Sequence, residues 1–265
     1  MGDIKMTYTA WVEVTRVDGN EVSVARDMVV KESPITLYLN DKEFTTLICS
    51  PVYLKELAVG FLCSEGILQK REDLKDISVN ETAGLIWVET LNPSPAEQAF
   101  LKRYITTCCG RGGALFYFLN DVRNLNPVKS ELSLTAAQAR VLSEQLEKNT
   151  VLFRSTGGTH GAALCSRTEV LWTFEDIGRH NAVDKVFGRC FLEEVPIADK
   201  LMVFSGRVSS EILIKIARLG ISILIARGAP TDLALEMAKE LGVTVVGFAR
   251  GDKLNIYTHG HRIKT

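Results

Sequence analysis

Leu201-Met202-Val203-Phe204-Ser205-Gly206-Arg207, Ile221-Ser222-Ile223-Leu224-Ile225-Ala226-Arg227-Gly228 and Val243-Thr244-Val245-Val246-Gly247-Phe248-Ala249-Arg250-Gly251 are three versions of one pattern. Each is an apolar run of strand length that gives way to an arginine beside a glycine. The intervening stretches, 208–219 and 231–241, read as helices, each ended by a glycine, Gly220 and Gly242. Strands joined by crossovers of that length predict βαβ units and parallel pairing. With a further strand at Val170–Phe174, residues 131–265 are expected to form an α/β ligand-binding domain around a mostly parallel sheet.

Upstream the pattern changes. Residues 8–48 read as strands, with Asp18-Gly19-Asn20 as a hairpin turn between Trp11–Val14 and Val22–Val24, and residues 75–91 read as a second hairpin. Ser50 and Pro51 are placed to open a helix over 51–65, whose stripe Leu54, Leu57, Ala58, Phe61 and Leu62 ends at Gly66. Capping boxes at Ser94-Pro95-Ala96-Glu97 and Thr135-Ala136-Ala137-Gln138 open two more helices, to about Tyr104 and Lys148. Residues 1–130 are thus expected to be a smaller β-rich region carrying helix 51–65 and a cysteine loop at 106–113. The class is α/β, α+β overall.

The 265 residues, 46% of them hydrophobic, suffice for a sizeable core. Thirty-one basic against 32 acidic residues leave a net charge of −1, which argues against a general polyanion or nucleic-acid surface and makes any anion site local. The first residues lack a signal-like apolar segment, and no apolar window is long enough to span a membrane, so a cytoplasmic protein is expected. Six cysteines in a chain this large are expected to be thiols. Cys49, Cys63, Cys165 and Cys190 read as core residues, and no spacing matches a structural zinc site. His259-Gly260-His261 reads as a solvated tail rather than a metal site.

Open α/β sheets bind ligands at the carboxyl ends of their strands. Arg207, Arg227 and Arg250 each follow such a strand beside a glycine, and planar guanidinium groups near helix N-termini suit phosphate oxygens. A phosphorylated ligand is inferred. A second polar cluster runs through Thr156-Gly157-Gly158-Thr159-His160-Gly161 and 175–185, where His160 and His180 offer hydrogen bonds or acid–base work. The third candidate is Cys108-Cys109, in the turn Thr107-Cys108-Cys109-Gly110-Arg111-Gly112-Gly113. Arg111, Arg103 and Lys102 nearby would favour a thiolate, and the glycines would let a sulfur travel between partners. An incidental loop carrying two cysteines reads equally well from these residues alone.

Several long motifs in order give the chain a resemblance. They are Glu65-Gly66-Ile67 after Leu57–Leu62, Thr156–His160, Asp176-Ile177-Gly178-Arg179-His180-Asn181-Ala182-Val183-Asp184-Lys185, Ser205–Ser209, Ala229–Thr231, Gly247–Gly251 and Asn255–His259. Over nearly its whole length the chain resembles the formate dehydrogenase accessory sulfurtransferases, the FdhD/NarQ family. The resemblance implies a carrier that takes sulfur from a cysteine desulfurase as a cysteine persulfide. It passes the sulfur to the molybdenum (or tungsten) bis(molybdopterin guanine dinucleotide) cofactor of formate dehydrogenase. It also implies a C-terminal three-layer domain like the cytidine deaminases, cofactor contacts at Phe248-Ala249-Arg250-Gly251-Asp252-Lys253, and a homodimer.

One departure stands out. The family's loop is commonly Cys-Gly-x-Cys-Gly, and alignment on Cys109-Gly110 places Gly112 at the second cysteine. Cys109 is then the expected carrier and Cys108 an extra neighbour. Transfer from Cys109 alone needs no second thiol of this chain. The alternative is a non-catalytic chaperone that only holds the cofactor. A zinc deaminase lacks its His-x-Glu and Pro-Cys-x-x-Cys motifs here.

Overall fold

The computed structural model describes residues 8–91 and 125–265. The capping box at 94–97, its helix, and Cys108 and Cys109 lie outside the described residues.

The chain opens with a ribbon, β1 (Thr9–Asp18) and β2 (Glu21–Val30), joined at Gly19-Asn20 as the sequence predicts. Next come β3 (Ser33–Leu39), β4 (Lys42–Cys49), α1 (Leu54–Ser64), β5 (Leu74–Asn80) and β6 (Leu85–Thr90). The last four strands form one sheet, ordered β4-β3-β6-β5. Period-2 alternation sends Ile35, Leu37 and Leu39 of β3 inward against Leu57, Ala58 and Leu62 of α1.

Helix α1 starts three residues later than predicted. Ser50 does not cap it: the Ser50 amide donates to Asp176 Oδ2 at 3.1 Å, and its hydroxyl accepts from the Ile177 amide. Tyr53, in the left-handed region at φ 55°, then redirects the chain into the helix.

The C-terminal body contains β7 (Leu134–Thr135), α2 (Ala136–Asn149), α3 (Val151–Thr156), β8 (His160–Cys165), β9 (Val170–Asp176) and α4 (Arg179–Leu192). It continues with β10 (Leu201–Phe204), α5 (Ser210–Leu219), β11 (Ile223–Ala226), α6 (Asp232–Glu240), β12 (Thr244–Arg250), β13 (Lys253–Ile256) and β14 (Ile263–Lys264). Thr135 caps α2 through the predicted capping box, and Gly220 ends α5 in the left-handed region. Leu125 and Val128 already pack on this body.

Its six-stranded sheet runs β13-β12-β11-β10-β8-β9. The expected parallel pairing holds for β10-β11 and β11-β12, where helical crossovers connect the strands. The other three pairings are antiparallel, so the sheet is mixed rather than mostly parallel. The reason is local: β8 and β9, like β12 and β13, are joined by short turns that reverse the chain. Met202 and Leu224 face α4, α5 and α6, while Val203 and Ile225 face α2, which makes three layers. Thr156–Gly161 and 175–185, read from the sequence as one polar cluster, do meet: His160 pairs with Asp176 across β8 and β9, and Thr159 Oγ1 donates to Glu175 Oε1 at 2.9 Å.

Nor is the C-terminal stretch a solvated tail. His259 Nε2 lies 3.1 Å from both the Ala238 and Lys239 carbonyls at the end of α6. Arg262 is buried and donates to the Gly242 carbonyl at 2.7 Å.

Helices α1 and α4 bring the two bodies into backbone contact. A methyl on Gly60 would overlap the Asp184 carbonyl, and one on Gly188 would overlap that of Glu56. Beside this crossing, Asp184 holds Lys215 Nζ at 2.6 Å and accepts from Ser64 Oγ of α1 at 2.5 Å.

Candidate functional site

Strand direction decides which residues meet. Because β8 runs against β10, its first residue, His160, lies at the carboxyl edge of β10, and the end of β9 and the start of α4 reach the same edge. The Gly161 amide donates to Ser205 Oγ and the Ser205 amide to the Gly161 carbonyl, both at 2.9 Å. Gly206 then packs beside Arg179, since a Cβ placed there would come within 3.5 Å of the Arg179 Cβ.

The three arginine loops stack on one another. The Arg227 amide donates to the Phe204 carbonyl at 2.9 Å, and the Phe248 amide to Gly228 O at 3.2 Å. Gly228 must be glycine, because a Cβ would run into the backbone of Gly206 and Arg207. Arg250 Nε donates to the Arg227 carbonyl at 3.0 Å, which ties the third loop to the second. Phe248 sits at φ 53° with 46% of its surface exposed, at the irregularity between Gly247 and Arg250 of β12. Asp252 lies in the following turn, and Lys253 pairs with Arg250 across β12 and β13.

Of the three guanidinium groups expected to converge, that of Arg227 is engaged elsewhere. Arg207 is exposed, and the Arg250 head beyond Nε carries no partner among the described residues. Arg227 is turned away: its guanidinium lies 3.0 Å from Glu147 Oε2 and donates to the Ser143 carbonyl at 3.3 Å, both on α2. The strand period explains it, because Arg227 follows Ile223 and Ile225 on the face that packs against α2.

His160 and His180 are brought to one edge. Burial, then the charges of Arg179 and His180, hold the His160 pKa below its usual value, so near neutral pH it offers one donor and one acceptor. His180 Nε2 lies 3.0 Å from Glu211 Oε2, in the first turn of α5. Sequence reading missed Glu211, because an acid there looks like any acid complementing a helix dipole. It also missed the division of labour within 176–185. Asp176 and Lys185 are fully buried, 2.6 Å apart, and Lys185 Nζ also reaches the carbonyls of Glu175 and Ser50.

Cys49, Cys63, Cys165 and Cys190 are buried and unbridged, as expected for core residues. Burial pushes Cys49, Cys165 and Cys190 up to about 12 and Cys63 well above its usual value, so they remain protonated. Among the described residues no group of three or more His, Cys, Asp and Glu could hold a metal ion, and no helix is long and apolar enough to cross a membrane.

Fold and edge together define a class: an α+β protein with a three-layer body whose sheet edge gathers exposed arginines, two histidines and an exposed aromatic ring. The chain belongs to the FdhD/NarQ family, whose model matches residues 30–264. It is 46% identical over 238 residues to a sulfur carrier protein FdhD of Bacillus pumilus, covering 89% of this chain and 90% of that one. With the sulfur carrier protein FdhD of Bacillus subtilis the identity is 41% over 257 residues, covering 97% and 98%. A crystal structure assigned to a formate dehydrogenase accessory protein of Desulfotalea psychrophila superposes with a TM-score of 0.80 at 25% identity, covering 97% and 99%.

Proposed function

We propose that this chain is a sulfurtransferase that carries sulfur as a persulfide on Cys109. In this reading a cysteine desulfurase supplies the sulfur, and the acceptor is the molybdenum or tungsten bis(molybdopterin guanine dinucleotide) cofactor destined for formate dehydrogenase. The resemblance, through the alignment of Cys109-Gly110 with the family's Cys-Gly-x-Cys-Gly loop, selects Cys109, and one observation supports the cysteine pair as the carrier. The four described cysteines are buried and held protonated, so a thiolate at neutral pH falls to Cys108 and Cys109. Loading is then a thiol exchange: the Cys109 thiolate attacks the outer sulfur of the desulfurase persulfide, a new S–S bond forms, and the desulfurase cysteine leaves as thiolate. Atoms and electrons balance without a further reactant.

The carboxyl edge supplies the hold on the cargo. Arg207 and Arg250 suit the phosphates of a dinucleotide, the exposed Phe248 ring suits a flat base, and neutral His160 can donate and accept hydrogen bonds. A cofactor chaperone without transfer would use the same edge and no thiol.

Incubation with a cysteine desulfurase and radiolabelled cysteine separates the two. The unaltered chain and Cys108→Ala should acquire label released by reductant, and Cys109→Ala should not. A Cys109→Ala protein that still takes up such label and still activates formate dehydrogenase refutes the carrier assignment.

A further inference from the structure

The first turn of α4 is held from two sides. On one side it serves the carboxyl edge, where Arg179 packs beside Gly206 and His180 Nε2 lies 3.0 Å from Glu211 Oε2. On the other, Asn181 reaches the N-terminal body. Its Nδ2 donates to the Ile48 carbonyl near the end of β4 and to Asp176 Oδ1, both at 2.9 Å. Adjacent residues of a helix point about 100° apart, so His180 and Asn181 can face different bodies.

The turn that leads into the helix depends on the same groups. Asp176 Oδ1 also accepts from the Gly178 amide at 2.8 Å, and the Ile177 amide donates to Ser50 Oγ at 3.2 Å. No side chain caps α4 at Gly178, so its entry is set by this clamp rather than by a cap of its own. The fit leaves no slack: a Cβ on Gly178 would come 2.9 Å from Asn181 Nδ2. The contacts of α1 with Asp184 and Gly188 fall further along the helix.

We propose that Asn181 is a positioning residue: it fixes the first turn of α4 against β4 and so sets where His180 stands at the carboxyl edge. The N-terminal body thereby shapes the ligand site through a helix start, without contributing a group that meets the ligand. The consequence for nucleotide binding rests on the reading of that edge under Proposed function.

The four histidines of the chain supply a ligand-free test. In Asn181→Ala the ring NMR signals of His160 and His180 should move, His160 because Arg179 and His180 are its neighbours, while those of His259 and His261 hold. Gly178→Ala, which displaces the Asn181 amide by crowding alone, should move the same two. Ser64→Ala cuts another hydrogen bond between the bodies and should lower the melting temperature with both signals unmoved. In calorimetry Asn181→Ala should weaken guanosine diphosphate about three- to tenfold. Combined with His180→Ala its effect should shrink, and combined with Arg250→Ala it should persist in full. Unmoved His160 and His180 signals in Asn181→Ala, equal movement in Ser64→Ala, or full additivity with His180→Ala would each overturn the proposal. Signals that move as expected in a chain whose unaltered form binds no nucleotide would sink the reading of the edge and leave the positioning of His180 standing.

Discussion

Lys185 and Arg250 are two cations that this sequence puts to opposite uses. Lys185, fully buried between the two bodies, directs its ammonium at Asp176 and two carbonyls. Arg250, on the carboxyl edge, is pinned through Nε alone and presents the rest of its guanidinium outward. A buried charge must find all its partners within the protein, because an unpaired one costs several kcal/mol. An edge charge leaves its solvation to be exchanged for a ligand. The first kind of residue therefore shows itself in stability and the second in binding.

The comparison breaks first at Asp176. Asp176→Leu leaves Lys185 buried without its carboxylate and should cost about 3–5 kcal/mol, lowering the melting temperature by about 6–20 °C. Replacing both residues by apolar ones should recover much of that loss in the same thermal scan. Gly188→Ala comes next. It forces α4 away from the Glu56 carbonyl, at a cost of about 1–3 kcal/mol or more, read from urea unfolding as a lower midpoint with the slope kept.

At the edge the expectation reverses. Arg250→Ala should alter stability by less than about 0.5 kcal/mol while weakening guanosine diphosphate about tenfold in calorimetry. Unchanged affinity would remove that loop from the ligand site. The smallest effect is at His160. Its pKa in the folded protein lies below that of the unfolded chain, so the unfolded state binds the extra proton first. Stability should fall as pH drops below the usual histidine value towards the folded pKa, and His160→Gln should flatten that slope between about pH 5 and 7.

The 176–185 motif shows how far a sequence reveals such roles. It reads as one polar stretch, yet Asp176, Asp184 and Lys185 join the bodies while His180 serves the edge. Helical spacing turns neighbours to different faces, and only packing says which face is buried. Arg227 carries the same lesson on a strand: its place beside a glycine is visible in the sequence, whereas its partner Glu147 lies eighty residues away.

Local chemistry determined much of this protein by itself. Apolar runs, glycine stops, the Gly19-Asn20 turn and the Thr135 cap marked strands and helices near where they form, because those signals act within a few residues. Strand direction at the sheet margins, the start of α1, the fate of Ser50 and the backbone crossing at Gly60 and Gly188 were decided by tertiary structure. Each depends on groups far apart in sequence that compete for the same hydrogen bonds or space, and that competition is settled only when the two bodies pack.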